Sequence, residues 1–184
     1  MHVFHGPNAF ASTAVVVAPF RAAICSDDAV AALRLRLEQA FPGWLDDCPS
    51  SDFLVARHAL ALLAAHWAKA LLNSARGLVD SAGAGSPTPS SSVLWVGFHV
   101  PEVSAQAIAL ACDVVGTAAQ MKAVPNDEQR QGIAALQARC RSDHPDYQAR
   151  ILMLAAREQG IPVQAAAVGA RHWQFGWGDR KSVV

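Results

Sequence analysis

Two histidines, His58 and His66, stand eight residues apart in RHALALLAAHWAKALL. That is about two turns of a helix, so both imidazoles can face one side. A metal there would want a third ligand and supporting carboxylates, and the segment carries no acid beyond Asp52. The pair therefore reads as partly buried histidines hydrogen-bonded to backbone. Cys112 lies between Ala111 and Asp113 in an apolar run. A nucleophilic thiolate needs a cationic, accessible setting, so Cys112 reads as packing. Trp67, Trp95, Trp173 and Trp177 offer faces on which a ligand can stack, although core packing is the ordinary use of tryptophan. Arg34 and Arg36 do not share a helix face, and Arg139, Arg141 and Arg150 are scattered among acids, the pattern of a solvated surface. The phosphate loop GxxxxGK[ST] is absent, as are HExxH, GxSxG and GxGxxG. Gly176-Trp177-Gly178 is too short for a nucleotide loop and reads as a hairpin turn.

Composition narrows the classes further. The chain has 184 residues, 52% hydrophobic and only 16% charged, where about a quarter is usual. That surplus of apolar residues points to surface buried against something else. A formal net charge of zero argues against a polyanion-binding surface spread over the whole domain, though not against a local basic patch. The cysteines at 25, 48, 112 and 140 form no CxxC pair and read as reduced thiols. The amino-terminal MHVFHGPNAF has neither a basic leader region nor a long apolar run, and no window resembles an uncharged membrane span. These features predict a cytoplasmic protein with no nucleic-acid or membrane partner and no bound metal.

Periodicity supplies the elements that must position any site. Thr13–Phe20 predicts a buried strand. Ser26 predicts a cap for a helix running to Phe41, stopped by Pro42-Gly43. Ser51 predicts a cap for a long helix to about Leu78, apolar nearly all round, with His58, His66, Lys69, Asn73 and Arg76 as a narrow polar stripe. DSAGAGSPTPSSS, residues 80–92, reads as a flexible surface loop. Val93–Val100 predicts a strand covered on both faces, and Pro101 opens a helix. Asn126 caps another helix, and a last one ends at Gly160. Ile161–Val168 then predicts a strand, followed by a β-hairpin over His172–Val184. The alternation predicts a mixed α/β or α+β layered domain, with a mixed sheet of about four to six strands and about five helices.

The order of features resembles the N-terminal region of cyanophycin synthetase and related ATP-grasp ligases. Gly6-Pro7-Asn8 precedes the first buried strand; Phe41-Pro42-Gly43-Trp44-Leu45 leads to Cys48; and RHALALL, residues 57–63, looks like the family's histidine-bearing helix. VLWVGFHVPEVSAQAIALACDVV, residues 93–115, is similar to its strand-then-helix segment. ILMLAAREQGIPVQAAAVGARHWQFGWGDRKSVV, residues 151–184, resembles the helix, Gly-Ile-Pro strand and aromatic-glycine hairpin that lead into the ATP-grasp module. The helix histidine lacks the usual acidic neighbour, since Arg57 precedes His58, which favours a relative acting on another peptide or amino acid.

The resemblance implies that residues 1–168 form a non-catalytic accessory domain and that 169–184 lead into an ATP-grasp domain absent from this sequence. ATP and magnesium would be bound by that absent domain, which would join a carboxylate to an amine through an acyl phosphate. This chain would support it, help build a homo-oligomer, and hold a peptide or amino-acid polymer through Asn8, Arg57, His58 and Arg76, with no catalytic residue of its own. The alternative is a free-standing binding or assembly module without catalysis.

Overall fold

Three β-branched residues at the start of VVVAPF nucleate the central strand of the domain. In a computed structural model of the chain, residues 1–21, 27–49, 56–88, 91–120, 122–166, 172–176 and 182–183 are described. The expected caps Ser26 and Ser51, Cys25, and the hairpin residues Trp177, Gly178, Arg180, Lys181 and Val184 lie outside them. The strands are β1 His2–Phe4, β2 Val15–Phe20, β3 Ala82–Thr88, β4 Ser91–Gly97, β5 Val163–Ala165, β6 Trp173–Phe175 and β7 Ser182–Val183. The helices are α1 Asp27–Ala40, α2 Ala56–Asn73, α3 Pro101–Ala119, α4 Asp127–Asp143 and α5 Tyr147–Glu158. The architecture is mixed α+β, as expected. Pairing among the described strands is antiparallel, in a four-stranded sheet ordered β1-β2-β4-β3 and a three-stranded sheet ordered β5-β6-β7.

Helices α2 and α3 lie on one face of the larger sheet, with α1 and α4 packed on them from outside. This layering explains why α2 is apolar almost all round: it meets β3, β4, α1, α3 and α4. Ala59–Ala68 is an unbroken run of buried residues, and Leu60, Leu63, Trp67, Leu71 and Leu72 are sealed from solvent. By length and composition α3 is the one described helix apolar enough to cross a membrane. Here its Val103, Ile108, Val114 and Val115 belong to the core.

Several local expectations hold. Pro101 opens α3 in its first turn. Asn126 caps α4 in a reciprocal box with Gln129: the Gln129 amide donates to Asn126 Oδ1 at 2.8 Å, and the Asn126 amide donates to Gln129 Oε1 at 3.0 Å. Gly160 follows α5 at φ +66°, the left-handed stop that glycine adopts freely. Arg139–Asp143 at 3.1 Å is an i,i+4 pair on a solvated face, whereas Arg34, paired with Glu38 at 2.8 Å, is largely covered and also donates to the Cys48 and Pro49 carbonyls.

Four expectations are corrected. The Asp80–Ser92 stretch is not a surface loop over its described length: Ala82–Thr88 is β3, paired with β4, which itself starts at Ser91. Composition misleads because β3 borrows its burial from neighbours, with α2 packed over it. Its glycines have a specific use, since the Trp95 ring lies against them. A Cβ built on Gly83 would come within 2.4 Å of Trp95 Cζ2 and 2.7 Å of Cε2. Gly83→Ala should therefore lower stability by about 1–3 kcal/mol through forced displacement of that ring. Urea unfolding followed by Trp fluorescence checks this, and an unchanged midpoint would remove the packing argument.

Second, β4 alternates half-buried and buried residues rather than being covered alike on both faces. Third, β1 pairs with β2 where no strand was expected, since three exposed residues leave no periodic signal. Fourth, α2 stops at Asn73 and not near Leu78. The Asn73 side chain grips Val79 from both sides: Nδ2 donates to the Val79 carbonyl at 2.9 Å, and the Val79 amide donates to Oδ1 at 2.8 Å. The pinch turns the chain through left-handed conformations at Arg76 (φ 71°) and Leu78 (φ 55°).

Candidate functional site: a cleft at one end of the sheet

In an antiparallel order β1-β2-β4-β3, the end of β1, the start of β2, the end of β4 and the start of β3 share one edge. There the α5–β5 connection, Gly160–Val163, approaches and leaves a cleft of about 420 Å³. His5 and Gly6 line it after β1, Thr13 and Ala14 before β2, and Asp80 and Ser81 before β3. An adjoining recess of about 80 Å³ is closed by Gly97, Phe98 and His99 at the end of β4.

The walls are held in place by their own bonds. Asn8 Nδ2 donates to the carbonyls of Gly6 at 2.8 Å and Thr13 at 3.1 Å, while its Oδ1 accepts from the amides of Phe10 at 2.8 Å and Ala11 at 3.1 Å. One side chain thus folds the loop between β1 and β2. The Thr13 and Ser81 hydroxyls meet at 2.6 Å across the wall. The Gly97 amide donates to the Ser81 carbonyl at 2.7 Å. The Gly176 amide donates to the Pro162 carbonyl at 2.8 Å, tying the far wall to the end of β6. His5 meets Phe98 edge-on, ring centroids 5.5 Å apart.

Behind the recess, His99 packs edge-on against His144 at 5.8 Å and Trp173 at 5.1 Å. These three buried rings join the β4–α3 corner, the end of α4 and β6. Among the described residues neither ring nitrogen of His144 has a hydrogen-bond partner, and burial pushes that imidazole down to about 4.

The residues expected to form a binding site do not gather. Asn8 belongs to the cleft wall, but its polar atoms are spent on the loop, so it organises the site. Asn8→Ala should cost about 1–2 kcal/mol and open the loop to proteolysis. Limited digestion checks this, and equal resistance in both proteins would assign the loop's rigidity elsewhere. Arg57 and His58 sit in the first turn of α2, where His58 Nδ1 lies 3.3 Å from Ser86 Oγ in the far half of β3. Arg76 lies beyond the other end of that helix, exposed in the turn after it, roughly 27 Å along the axis.

His66 is buried more fully than the partly buried ring the sequence suggests. It is buried, its Nδ1 lacks the expected backbone partner, and burial, then Lys69, lower it to about 4. Burial pushes the thiols of Cys48, Cys112 and Cys140 up to about 11, so all three stay protonated and inert at neutral pH. Among the described residues no three His, Cys, Asp or Glu side chains are grouped to hold a metal.

The cleft residues His5, Thr13, Asp80 and Ser81 escaped sequence reasoning because they come from three separate segments. The one available signal was Gly6-Pro7-Asn8, a turn folding back before a buried strand. Fold and site together define an α+β domain with an open, mostly apolar cleft at one edge of its main sheet. No protein-family model and no curated protein matches this sequence.

Proposed function

We propose that this chain is the non-catalytic, amino-terminal domain of a cyanophycin synthetase-like, ATP-dependent carboxylate–amine ligase. It supports a neighbouring ATP-grasp module, contributes to a homo-oligomer, and offers its cleft to a peptide or amino-acid ligand in the cytoplasm. ATP and magnesium belong to the neighbouring module.

The observation that carries this reading is the outward face of α5. Tyr147, Ile151 and Leu154 follow one another at helical spacing and are 75%, 48% and 46% exposed, with Leu152 and Ile161 beside them. Among its described side chains the helix fully buries Met153 and Ala156. An apolar stripe of this kind suits a surface that another polypeptide covers. α5 packs against β5, which pairs with β6, and this is the segment whose resemblance to the ATP-grasp approach is most specific.

A free-standing binding module is the second reading, favoured by a cleft whose described lining brings together four segments of this chain. ATP turnover separates the two. Antibody capture of the native protein from its source cells is expected to bring down amino-acid-dependent ADP release, while the recombinant 184-residue chain releases none. Captured protein without turnover would overturn the ligase reading. Turnover by the recombinant chain alone would overturn the non-catalytic assignment.

A further inference from the structure

We infer that the outward face of α5 is a two-fold contact between two copies of this chain, with the paired helices lying antiparallel. The inference rests on the homo-oligomer part of the proposed function, for which it names the contact surface, and not on the ligase assignment.

The pattern on the helix is self-complementary. Tyr147, Ile151, Leu154 and Glu158 follow one another at intervals of four, three and four residues, and all four are exposed. That is the spacing of a coiled-coil seam. Because the intervals read the same in both directions, a second α5 can lie antiparallel, with the symmetry axis midway between Ile151 and Leu154. Ile151 then meets the partner's Leu154, and Leu154 meets the partner's Ile151. At each end Tyr147 stands opposite the partner's Glu158, where the phenol donates to the carboxylate. The same arrangement sets the two helix dipoles head to tail. Met153 and Ala156, buried on the other side, fix which face α5 presents.

Charge and area select a second copy over other occupants. Among the described α5 side chains Glu158 is the one exposed charge. Asp146, just before the helix, turns its carboxylate onto its own Ala149 amide at 2.9 Å. A strongly charged partner therefore has little to pair with, whereas two copies of a chain with a formal net charge of zero approach without mutual repulsion. The exposed parts of Tyr147, Ile151, Leu152 and Leu154 amount to on the order of 400 Å² of largely apolar surface, a size that marks an interaction site. Two copies withdraw roughly 800 Å² at the centre of the contact. A polar rim including Gln148 and Glu158 brings the total to the ~1,200 Å² at which stable interfaces begin.

Size exclusion with light scattering on the recombinant chain, across the micromolar range, tests this. The wild type is expected at twice the mass of one chain. Ile151→Glu and Leu154→Glu each press a carboxylate onto an apolar partner, and each should weaken the dimer at least about a hundredfold, leaving monomer. Both positions are exposed, so circular dichroism should show an unchanged fold. Ile151→Lys chains mixed with Leu154→Glu chains should form the dimer that neither forms alone. The antiparallel register sets the introduced ammonium on the introduced carboxylate, and leaves an Ile151–Leu154 contact in the other half. Leu35→Glu, on an exposed position of α1, should leave the dimer intact. A monomeric wild type, an oligomer that survives both glutamate substitutions, a dimer lost equally in Leu35→Glu, or a mixture that stays monomeric would overturn the inference. None of those outcomes bears on ADP release by the native protein, and a monomer leaves α5 free for the neighbouring module, so the ligase reading stands or falls separately.

Discussion

Mild acid is expected to unfold this protein, and two buried imidazoles are the reason. His66 and His144 are held down to about 4 from an ordinary 6.5, in both cases chiefly by burial. Beside His66, Lys69 and Arg34 lower it and Asp47 raises it; beside His144, Asp143 raises it. The folded state therefore favours the neutral ring, and the unfolded chain binds protons first as pH falls below about 6.5. The stability gained by keeping each ring neutral is complete above that value and is lost as pH falls toward about 4. Over that window the loss reaches about 3 kcal/mol per imidazole, and it is already about 2 kcal/mol each at pH 5. Domains of this kind hold about 5–15 kcal/mol in all, so both losses together are a large share.

The two sites are separable. His144 joins α4 to Trp173 of β6 through His99, whereas His66 sits in the middle of α2. Trp173 should therefore report the first event. His144→Leu removes two ring nitrogens that have no partner, so it should be close to neutral at pH 7.5 and should roughly halve the destabilisation at pH 5. Urea midpoints at the two pH values decide the matter. A wild-type midpoint that does not move between pH 7.5 and 5 would exclude a buried neutral state for these rings.

The same histidines show where sequence reasoning reaches its limit. Start and stop signals place the beginnings of α3 and α4 and both ends of α5 to within a residue or two, because proline, asparagine and glycine act on the backbone next to them. The α+β class followed from the alternation of those elements with β-branched runs. His66, in contrast, reads from sequence as a partly buried ring bonded to backbone, since nothing in a helix's own sequence says how many neighbours cover it or whether they offer a partner. Ala82–Thr88 reads as a loop for the mirror-image reason: small residues look unable to order themselves, and it is Trp95 from the adjacent strand that requires its glycines small. The cleft is a property of strand order. His5, Thr13 and Ser81 become neighbours only when β1, β2 and β3 are laid in one sheet, and local periodicity carries no information about that order.

Trp67 should be the most costly single residue to truncate, and the cost should be one of volume. Its ring is fully buried where α2 meets the turn after α1, in contact with Phe41 at 5.1 Å edge-on and with Trp44 at 5.1 Å. Phe41 and Trp44 are themselves 5.0 Å apart, so three rings form one closed cluster. Trp67→Ala would leave a cavity at a point hemmed in by two helices and rigid rings, with little freedom to collapse, and should cost about 3–5 kcal/mol. The indole N–H has no hydrogen-bond partner, so no polar interaction is lost with it. Trp67→Phe, which keeps a ring and discards that unsatisfied donor, should consequently recover most of the loss. Urea unfolding of the two variants at pH 7.5 makes the comparison, and similar losses in both would show that the N–H, not the ring volume, carries the stability. Because α2 also positions the cleft through the Asn73–Val79 pinch at its far end, unfolding and binding can be told apart. Below its melting transition, Trp67→Ala should bind ligand with unchanged affinity, since the damage lies at the α1–α2 contact and the cleft takes its geometry from strand ends that this substitution leaves in place.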